Sequence, residues 1–449
     1  MTAGAGTAVV VGAGVGGLVA ARRRALRGRR VVVLERSDRV GGRVARGSVA
    51  GVPVDVGAES FAVRGGSVRS LLADLGLEDA IVQPRGHAWV ALPDRIVPLP
   101  EAGVLGIPAF PLAADVRRVL DTSGSLRAYA DRLLPVLRVG RYDRLGPLVR
   151  SRMGERVLDR LVAPVVCSVY GVDPEDIDVD VIAPGLNAAI TATGALSAAV
   201  LSLRTAAPAG SAVEGIAGGI ARLVDALTAD LERLGVELRL ESEVLGVHPA
   251  PSGGGFTVVT PAEDHEAAEV VLAADGAAAL DLLSDAAHEV AALPRPAAAA
   301  SRSVVLAVDS ARLDALPRGS GVLRAPSRTD VTATALTHLT AKWPALADTL
   351  PSGRHLLRIA YRGADPVPDA TVQADAAALL GLELPDPVDR LDTVWLDTAP
   401  PLDAATRAAT GALAAAALPS GLAVTGSWVT GAGLASVVAG AERAAASLT

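Results

Sequence analysis

The sequence predicts an α/β protein with more than one domain that opens with a parallel β-α-β unit. The chain has 449 residues and half of them are hydrophobic, which is more than one ordinary core accommodates. Residues 7–14, TAVVVGAG, form a short apolar run that ends in glycine, as strands buried on both faces of a parallel sheet do. After a helical segment, a second apolar run ends at Glu35. This alternation is typical of parallel strands joined by a crossover helix.

The first turn carries the glycine pattern G-x-G-x-x-G at Gly12, Gly14 and Gly17. Gly12 permits the tight turn, Gly14 lets the backbone approach a pyrophosphate, and Gly17 allows the helix to pack closely on the strand. The helix begins near Val15 and Gly16, so its free N–H groups and its dipole would bind the phosphates. The pattern therefore predicts a dinucleotide site.

Glu35 follows Gly17 by eighteen residues and ends the second strand. A carboxylate at this position accepts hydrogen bonds from both ribose hydroxyls and repels a 2′-phosphate. We also expect Arg36 to lie beside the nucleotide. NAD and FAD both bind to such a unit, so the first motif leaves the choice between them open.

An arginine-rich stretch overlaps the first helix. Its inner face is committed to packing on the sheet, so the arginines are predicted to form the solvated outer face. The alternative is a basic patch for nucleic acid or membrane. The residues concerned are Arg22, Arg23, Arg24, Arg27, Arg29 and Arg30.

Charge and cysteine content exclude several classes of protein. The net charge of -7 and a pI near 5.5 argue against nucleic-acid binding, which needs a positive surface. The single cysteine, Cys167, cannot form an internal disulfide, and the sequence offers no pair of histidines at ligand spacing, so no metal site is predicted. A strand begins about seven residues into the chain, where a signal peptide would have its apolar region. We therefore expect a cytoplasmic location.

Residues 181–203 form the longest uncharged stretch, and its length alone would span a bilayer. It contains Pro184, Asn187, two glycines and several hydroxyl side chains, so a buried helix is the favoured interpretation. Peripheral membrane contact, or an apolar route for substrate, is the alternative.

A second glycine pair distinguishes the cofactors. The segment ERSDRVGGRV places Gly41, Gly42 and Arg43 six to eight residues beyond Glu35. This pattern resembles the FAD-dependent amine-oxidase superfamily. The resemblance implies that the glycine pair and the Arg43 charge lie against the pyrophosphate of a non-covalently bound FAD.

Residues 54–79, 95–116 and 153–180 resemble, in order, segments of bacterial protoporphyrinogen and coproporphyrinogen oxidases. The resemblance extends to residues 214–247 and 421–448. It implies further FAD contacts in three places. Gly57, Ala58, Glu59 and Ser60 would lie beside the flavin ring, and Val244 would contact the adenine. Gly426, Gly433, Leu434 and Ala435 would contribute from the closing segment. The closing motif departs from the family pattern, because Ala435 and Ser436 replace the usual Pro and Cys.

The resemblance also implies an interleaved domain organisation. A Rossmann-like FAD-binding domain would comprise residues 1–80, 205–280 and 416–449. An α+β substrate domain would comprise residues 81–104 and 281–415, with a helical subdomain at 105–204.

The activity implied by the resemblance is that of an oxidase of heme biosynthesis. Such an enzyme converts coproporphyrinogen III to coproporphyrin III by three hydride transfers to FAD, and O2 is reduced to H2O2. The segments GAESFAVR and GVLGIPAF are most similar to the branch that uses the four-carboxylate substrate. Protoporphyrinogen IX oxidation remains an alternative, as do amine oxidation, carotenoid-type desaturation and a flavin-fold binding module without turnover.

Composition favours a porphyrinogen over an amine. Aromatic residues make up 2% of the chain, which gives little support to an aromatic amine cage. A porphyrinogen needs an apolar cavity and arginines that bind its carboxylates, and Arg64 and Arg95 are the candidates. Lys342 is a third candidate, because the resemblance to amine oxidases implies a lysine near flavin N5, although a salt-bridging surface role is at least as consistent with the sequence. The sequence identifies no proton acceptor.

The expected partners are the porphyrinogen and O2, with a ferrochelatase as a further partner. Monomer and homodimer both remain open.

Overall fold

The computed structural model describes residues 6–134, 142–205, 213–251, 254–293, 295, 300–396, 408, 410–413, 418–431 and 433–448. Two β-sheets and a group of helices organise these residues. The first sheet carries the opening glycine motif, and the second faces the helical group.

The first sheet has five parallel strands. Ala8 pairs with Val31 on one side and with Glu269 on the other, so the opening strand lies at the centre. Its side chains alternate between two apolar cores, as expected for a strand covered on both faces. In sheet order the strands are Glu237–Arg239, Val31–Leu34, Ala8–Val11, Glu269–Leu272 and Leu422–Val424.

Three helices cover one face of this sheet: Val15–Leu26, Ala221–Arg233 and Leu434–Ser447. The other face is covered by an antiparallel sheet and two short helices. These elements are the strands Gly246–Pro249, Phe256–Val259 and Asp264–Ala267 and the helices Gly276–Leu282 and His288–Ala291.

The prediction that all the arginines of the first helix and its following turn are solvated is wrong for two of them. Arg22 is 8% exposed and Arg24 is 3% exposed. The Nε of Arg22 donates to Asp230 at 2.7 Å, and the Arg24 guanidinium makes two bonds to Glu269 at 2.6 and 2.8 Å. The helix is flanked by two other helices as well as the sheet, so less of its surface reaches water than an isolated amphipathic helix would expose.

The second sheet has seven strands. All neighbours are antiparallel except Ala88–Ala91 and Gly321–Arg324, which run parallel. In sheet order the strands are Asp389–Trp395, Ser301–Asp309, Arg354–Arg362, Ala335–His338, Gly321–Arg324, Ala88–Ala91 and Ile96–Pro98.

The two faces of this sheet have different coverings. The helix Asp369–Leu380 packs on one face, with Leu357 and Ile359 among the buried side chains. Part of the other face packs on a hairpin and two short helices, through Val305 and Leu356. The hairpin strands are Arg46–Val49 and Val52–Asp55, and the helices are Leu339–Lys342 and Pro344–Ala347.

The helical group has its own core, which includes Leu148, Leu161 and Val166. Its elements are Ala114–Tyr129, Leu145–Met153, Glu155–Val157, the π-helical turn Leu158–Val162, Ala163–Tyr170, Val179–Ile182, Leu186–Thr193 and Leu196–Thr205. The stretch 181–203 is thus divided among short helices rather than forming one buried helix, because Gly185 and Gly194 adopt left-handed conformations between them.

No single helix among the described residues is long and apolar enough to cross a membrane. One pair, Leu186–Thr193 and Leu196–Arg204, reaches the length and composition of a span only together, and the two helices are bent by 117°.

Small elements connect these units. Strands Phe61–Ala62, Val213–Ile216 and Ile81–Val82 form a three-stranded antiparallel sheet. The remaining elements are the hairpin strands Gly103–Val104 and Ile107–Pro108, the helices Ser67–Asp74 and Ser427–Thr430, and the 3-10 turns Glu78–Ala80, Ala130–Leu133 and Ala311–Leu313. The domain boundaries inferred from sequence stay predictions, and the boundary at 415/416 lies outside the described residues.

Candidate functional site

A cleft of about 520 Å³ opens beyond the carboxyl ends of the parallel strands. This is where ligands bind in open α/β sheets. Most of the residues that the sequence singled out for a dinucleotide line this one cleft. They are Gly12, Gly14, Val15, Gly16, Glu35, Arg36, Gly41, Gly42, Arg43, Ala58, Val244, Gly426 and Leu434.

The first glycine loop has the geometry that its motif predicts. Gly12 adopts φ +99°, and a Cβ there would lie 2.9 Å from the carbonyl oxygen of Ala273. A Cβ at Gly17 would lie 1.8 Å from the carbonyl oxygen of Gly12, so helix and strand approach closely only because residue 17 is glycine. At Gly14 a Cβ would meet no atom within 4 Å. Gly14 therefore leaves open space in front of the backbone.

The second glycine pair is attached to the first loop. The Gly41 N–H donates to the carbonyl of Ala13 at 2.8 Å, and Gly14 and Gly41 form a parallel β-bridge. A Cβ at Gly42 would lie 3.2 Å from the Cα of Gly14. The two motifs, almost thirty residues apart in sequence, thus form one backbone surface.

Glu35 stands at the edge of this surface. One carboxylate oxygen accepts the N–H of Ala13 at 2.7 Å, and the other accepts the N–H and the hydroxyl of Ser37 at 2.9 and 2.8 Å. A carboxylate offers about four acceptor positions, and three are used here. One position remains for a ribose hydroxyl, and the Ser37 hydroxyl is able to rotate and release another.

The helix Val15–Leu26 points its N-terminus into the cleft. Its N-cap, Gly14, provides no side-chain hydrogen bond, and the first turn has no acidic residue. The backbone N–H groups and the positive end of the helix dipole are therefore available to an anion. Half-buried Arg43 adds positive charge to the same cleft. Open space before Gly14, free N–H groups and an acceptor at Glu35 together fit a dinucleotide.

Four further predicted residues do not line the cleft and lie beside it. Gly57 packs against the backbone, since a Cβ there would lie 1.8 Å from the carbonyl oxygen of Arg43. Ser60 is half-buried beside the strand Phe61–Ala62. Gly433 caps the helix Leu434–Ser447, and the carbonyl of Ala435 accepts the Ser67 hydroxyl at 2.8 Å.

Glu59 faces a different space from its neighbour Ala58. It lines a second cavity, of about 610 Å³, whose walls include Ile81, Ile216 and Trp343. The segment containing residues 58 and 59 therefore separates the dinucleotide cleft from this second cavity.

Glu59 is the centre of a charge cluster with Lys342 and Arg358. Its carboxylate accepts hydrogen bonds from the Lys342 ammonium and, at 2.9 Å, from the Arg358 guanidinium. Burial works against ionisation of Glu59, but the two cations outweigh it and hold the pKa of the carboxyl below its usual value. The side chains of Glu59 and Lys342 are 16% and 17% exposed, so Lys342 has a buried partner rather than a surface one.

The other two arginine candidates lie elsewhere. Arg64 is exposed between the strand Phe61–Ala62 and the helix Ser67–Asp74. Arg95 pairs with Asp94 and donates weakly, at 3.4 Å, to two carbonyls of the helix Ala114–Tyr129. Neither belongs to the lining of the two cavities described above.

Sequence reasoning missed Arg358 and Trp395. Trp395 lines the dinucleotide cleft and donates its indole N–H to the carbonyl of Val56 at 3.1 Å. The period-2 alternation of RHLLRIAYR identifies Arg354–Arg362 as a strand and places Arg358 on its less apolar face. Nothing in the sequence indicates which element that face meets.

The parallel sheet and the cleft at its carboxyl edge define a fold of the dinucleotide-binding type. The sequence matches the family of flavin-containing amine oxidoreductases over residues 15–449, and the chain belongs to that family. It is a flavin-dependent oxidoreductase.

Two relatives are similar over most of their length. Coproporphyrinogen III oxidase of Mycobacterium leprae is 31% identical over 452 residues, which cover 97% of this chain and 96% of the relative. Coproporphyrinogen III oxidase of Propionibacterium freudenreichii is 29% identical over 393 residues, covering 78% and 71%.

Solved structures show the same fold. A candidate protoporphyrinogen oxidase from Exiguobacterium sp. 255-15 superposes with a TM-score of 0.81 at 24% identity, over 100% of this chain and 99% of that one. Putrescine oxidase bound to putrescine gives 0.68 at 16% identity, with 98% of each chain covered. One fold therefore serves proteins named for porphyrinogens and for amines, and it does not choose between these substrates.

Proposed function

We propose that this protein oxidises coproporphyrinogen III to coproporphyrin III with a non-covalently bound FAD and with O2 as electron acceptor. The cofactor part is supported by the continuous backbone surface of the two glycine motifs beside Glu35. The substrate part is supported by full-length similarity to relatives named for this reaction, at 31% identity for the M. leprae protein.

The cleft offers a position for each part of FAD. The pyrophosphate would lie before Gly14, at the N-terminus of the helix Val15–Leu26, with Arg43 nearby. Glu35 would hold the adenine-side ribose and the Val244 backbone would contact the adenine. The flavin ring would lie beside Ala58 and the N-terminus of the helix Leu434–Ser447, whose dipole stabilises negative charge.

When bound, FAD supplies a hydride acceptor for each two-electron step. The chain contributes orientation and exclusion of water. Glu59, paired with Lys342 and Arg358, is a poor proton acceptor because both cations stabilise its ionised form. The cluster instead holds the Lys342 ammonium at the wall between the two cavities.

Anaerobic mixing tests this function. The purified holoenzyme should be yellow and should bleach when coproporphyrinogen III is added without oxygen. Under air, porphyrin fluorescence and H2O2 should appear together, with three H2O2 formed for each coproporphyrin. A yellow protein that no porphyrinogen bleaches would contradict the proposal.

The preferred substrate is tested by comparing kcat/KM for coproporphyrinogen III with that for protoporphyrinogen IX, and we expect the former to be higher. Arg64→Ala should raise KM more for the four-carboxylate substrate if Arg64 binds a propionate. A preference for protoporphyrinogen IX would support the second candidate function and leave the flavin assignment intact.

The structural match to putrescine oxidase makes amine oxidation the remaining candidate, and putrescine is the probe for it. A colourless preparation would favour a binding module. Cytoplasmic location, peripheral membrane contact and transfer of product to a ferrochelatase belong to the same proposal.

A further inference from the structure

The strand Arg354–Arg362 carries its arginines on one face only. Side chains alternate along a strand, so Arg358, Ala360 and Arg362 share a face. The opposite face, with Leu357 and Ile359, is buried against the helix Asp369–Leu380. The basic face is therefore the one turned away from that helix.

Arg358 occupies one position of this face, beside the dinucleotide cleft. Arg358 binds Glu59 at 2.9 Å, on the segment that borders the dinucleotide cleft. Trp395 pairs with Ser301, which pairs in turn with Arg362, and Trp395 itself lines the cleft. The same face thus extends from the flavin side to Arg362.

Arg362 occupies the other position, against the helical group. The Arg362 charge acts on the thiol of Cys167, on the helix Ala163–Tyr170, and the neighbouring Ser168 hydroxyl of that helix donates to the carbonyl of Thr334 at 3.3 Å. Arg362 is exposed, whereas Arg358 on the same face is held by Glu59. Arg324, also near Cys167, is occupied: it donates to the carbonyls of Ala333 and Arg328 at 2.8 and 3.0 Å.

Between Arg358 and Arg362 the face is formed by small side chains. Ala360 lies opposite Ser303 on one neighbouring strand and Ala335 on the other. The Ser303 hydroxyl is buried and has no hydrogen-bond partner among the described residues. Alanine and serine side chains project little from the sheet, so no large side chain of this strand face stands between the two arginines.

The spacing matches the size of a tetrapyrrole. Arg362 lies four positions beyond Arg358, about 13 Å at the rise of an antiparallel strand. A porphyrinogen whose reacting edge is near Glu59 extends over a comparable distance to the carboxylates on its far side. A guanidinium with free donors at that end is suited to a carboxylate.

We propose that Arg362 binds a propionate carboxylate of the porphyrinogen, at the end of the substrate remote from Glu59, and so contributes to discrimination by carboxylate number. This assignment rests on the proposed function. It replaces neither Arg64 nor Arg95 as a candidate, and it adds a residue that lies on the face leading to the flavin.

Cys167 gives a direct test, because it is the only cysteine in the chain. The rate at which iodoacetamide alkylates Cys167 in the holoenzyme is measured with and without coproporphyrin III, the stable product. In the unchanged protein, bound coproporphyrin should slow alkylation. For each variant, the alkylation rate with coproporphyrin III is divided by the rate without it. This ratio is compared between variants, because substitution of Arg362 itself changes the reactivity of the thiol.

Arg362→Gln should lose this protection and bind coproporphyrin III about tenfold to a hundredfold more weakly, the range for a hydrogen bond to a charged group. Arg362→Lys should recover part of the affinity. Arg312→Gln is the matched control, because Arg312 is an exposed arginine in the turn Ala311–Leu313 and it should bind like the unchanged protein. The tetramethyl ester of coproporphyrin should not distinguish Arg362→Gln from the unchanged protein.

The outcomes distinguish failure of the Arg362 assignment from failure of the proposed oxidase activity. Equal binding of coproporphyrin III by Arg362→Gln and the unchanged protein overturns the Arg362 assignment while the activity stands. Failure of the unchanged protein to bind any porphyrin or to oxidise any porphyrinogen overturns both. Flavin absorbance of each variant shows that it is folded and loaded.

Discussion

The Glu35 carboxylate accepts the backbone N–H of Ala13 at 2.7 Å, so the acid assigned to the ribose is tied directly to the glycine loop assigned to the pyrophosphate. The same carboxylate also orders Ser37 through two hydrogen bonds. Removal of the Glu35 carboxylate should therefore disturb both the glycine loop at Ala13 and the turn at Ser37.

Glu35→Ala should weaken FAD binding by about 1.5–3 kcal/mol, because a hydrogen bond to a charged acceptor is lost. The Kd is measured by titrating the apoprotein with FAD and following flavin fluorescence. Glu243→Ala removes a carboxylate that lines the same cleft without bonding the loop, and it serves as the control. Unchanged FAD affinity in Glu35→Ala would exclude Glu35 as the ribose ligand.

Gly14→Val should abolish FAD binding without unfolding the protein. The added side chain enters open space in the cleft, since a Cβ at Gly14 has no neighbour within 4 Å, and it occupies the pyrophosphate position. The backbone there has φ -64°, which valine adopts readily. The measurements are flavin content and the thermal midpoint of the apoprotein, and a fully loaded, folded variant would contradict the assignment of the loop.

Gly17→Ala should instead destabilise the fold, because residue 17 lies where the helix packs on the strand and not in the open cleft. Its Cβ would lie 1.8 Å from the Gly12 carbonyl oxygen, so the helix must move away from the strand. Overpacking of this kind costs about 1–3 kcal/mol or more, and the free energy of unfolding of the apoprotein should fall accordingly. If Gly17→Ala keeps its stability and loses only FAD, then Gly17 acts by contact with the ligand.

The buried ion pair of Arg24 with Glu269 should be needed for stability. Arg24 also donates to the carbonyls of Ala445 and Leu448 at 3.0 and 2.9 Å, so it joins the first helix to the last. Arg24→Met should lower the free energy of unfolding by about 1–3 kcal/mol, because Glu269 loses its buried partner and keeps only the more exposed Arg29, at 2.6 Å. Urea denaturation measures the change.

Two further variants test whether burial of the Arg24–Glu269 pair causes this loss of stability. Arg27→Met removes an exposed arginine one residue beyond the same helix and should change stability by no more than about 0.5 kcal/mol. The double variant Arg24→Met/Glu269→Leu should regain part of the loss. Equal effects of Arg24→Met and Arg27→Met would show that burial of the pair is unimportant.

His338 should make stability depend on pH. It is 1% exposed, and its Nε2 lies 3.0 Å from the Nδ1 of His355, which in turn contacts Asp314. Burial, assisted by the charge of His355, lowers the pKa of His338 from 6.5 to about 4. Between these values the unfolded chain binds the proton more readily, so this contribution to stability is complete above pH 6.5 and is lost as the pH falls towards 4.

The loss between pH 7.5 and pH 5 should be about 2 kcal/mol. His338→Asn should show a correspondingly smaller decrease in the free energy of unfolding over that interval than the unchanged protein. His87→Asn is the control, because the His87 side chain is 72% exposed. Equal pH dependence of His338→Asn and the unchanged protein would rule out titration of His338.

Local patterns identified residues that lie together in one cleft. The apolar run before Gly12 and the acid at Glu35 depend on neighbours within one β-α-β unit, so their spacing specifies their geometry. Ala58 and Val244 entered through a resemblance to a family rather than through such a pattern. Both nevertheless line the cleft.

The sequence did not predict contacts between residues that are far apart along the chain. Arg22 and Arg24 belong to an arginine-rich helical stretch, and only the packing of two distant helices shows that they are buried. Glu59, Lys342 and Arg358 come from three separate segments, and no local pattern pairs them. The break of residues 181–203 at Gly194 also depends on a tertiary turn that hydropathy does not record.

The order of elements in the parallel sheet has a consequence for synthesis on the ribosome. The glycine loop is made first, but the strand Leu422–Val424 and the helix Leu434–Ser447, which complete the sheet and one wall of the cleft, are made last. At about 5–20 residues per second, roughly 20 to 90 s pass between synthesis of the opening strand and synthesis of these last elements. Through that interval the apolar faces of the opening strand and of Val31–Leu34 lack their final covering, so the nascent chain should need chaperone protection and should acquire flavin only after the helix Leu434–Ser447 has formed.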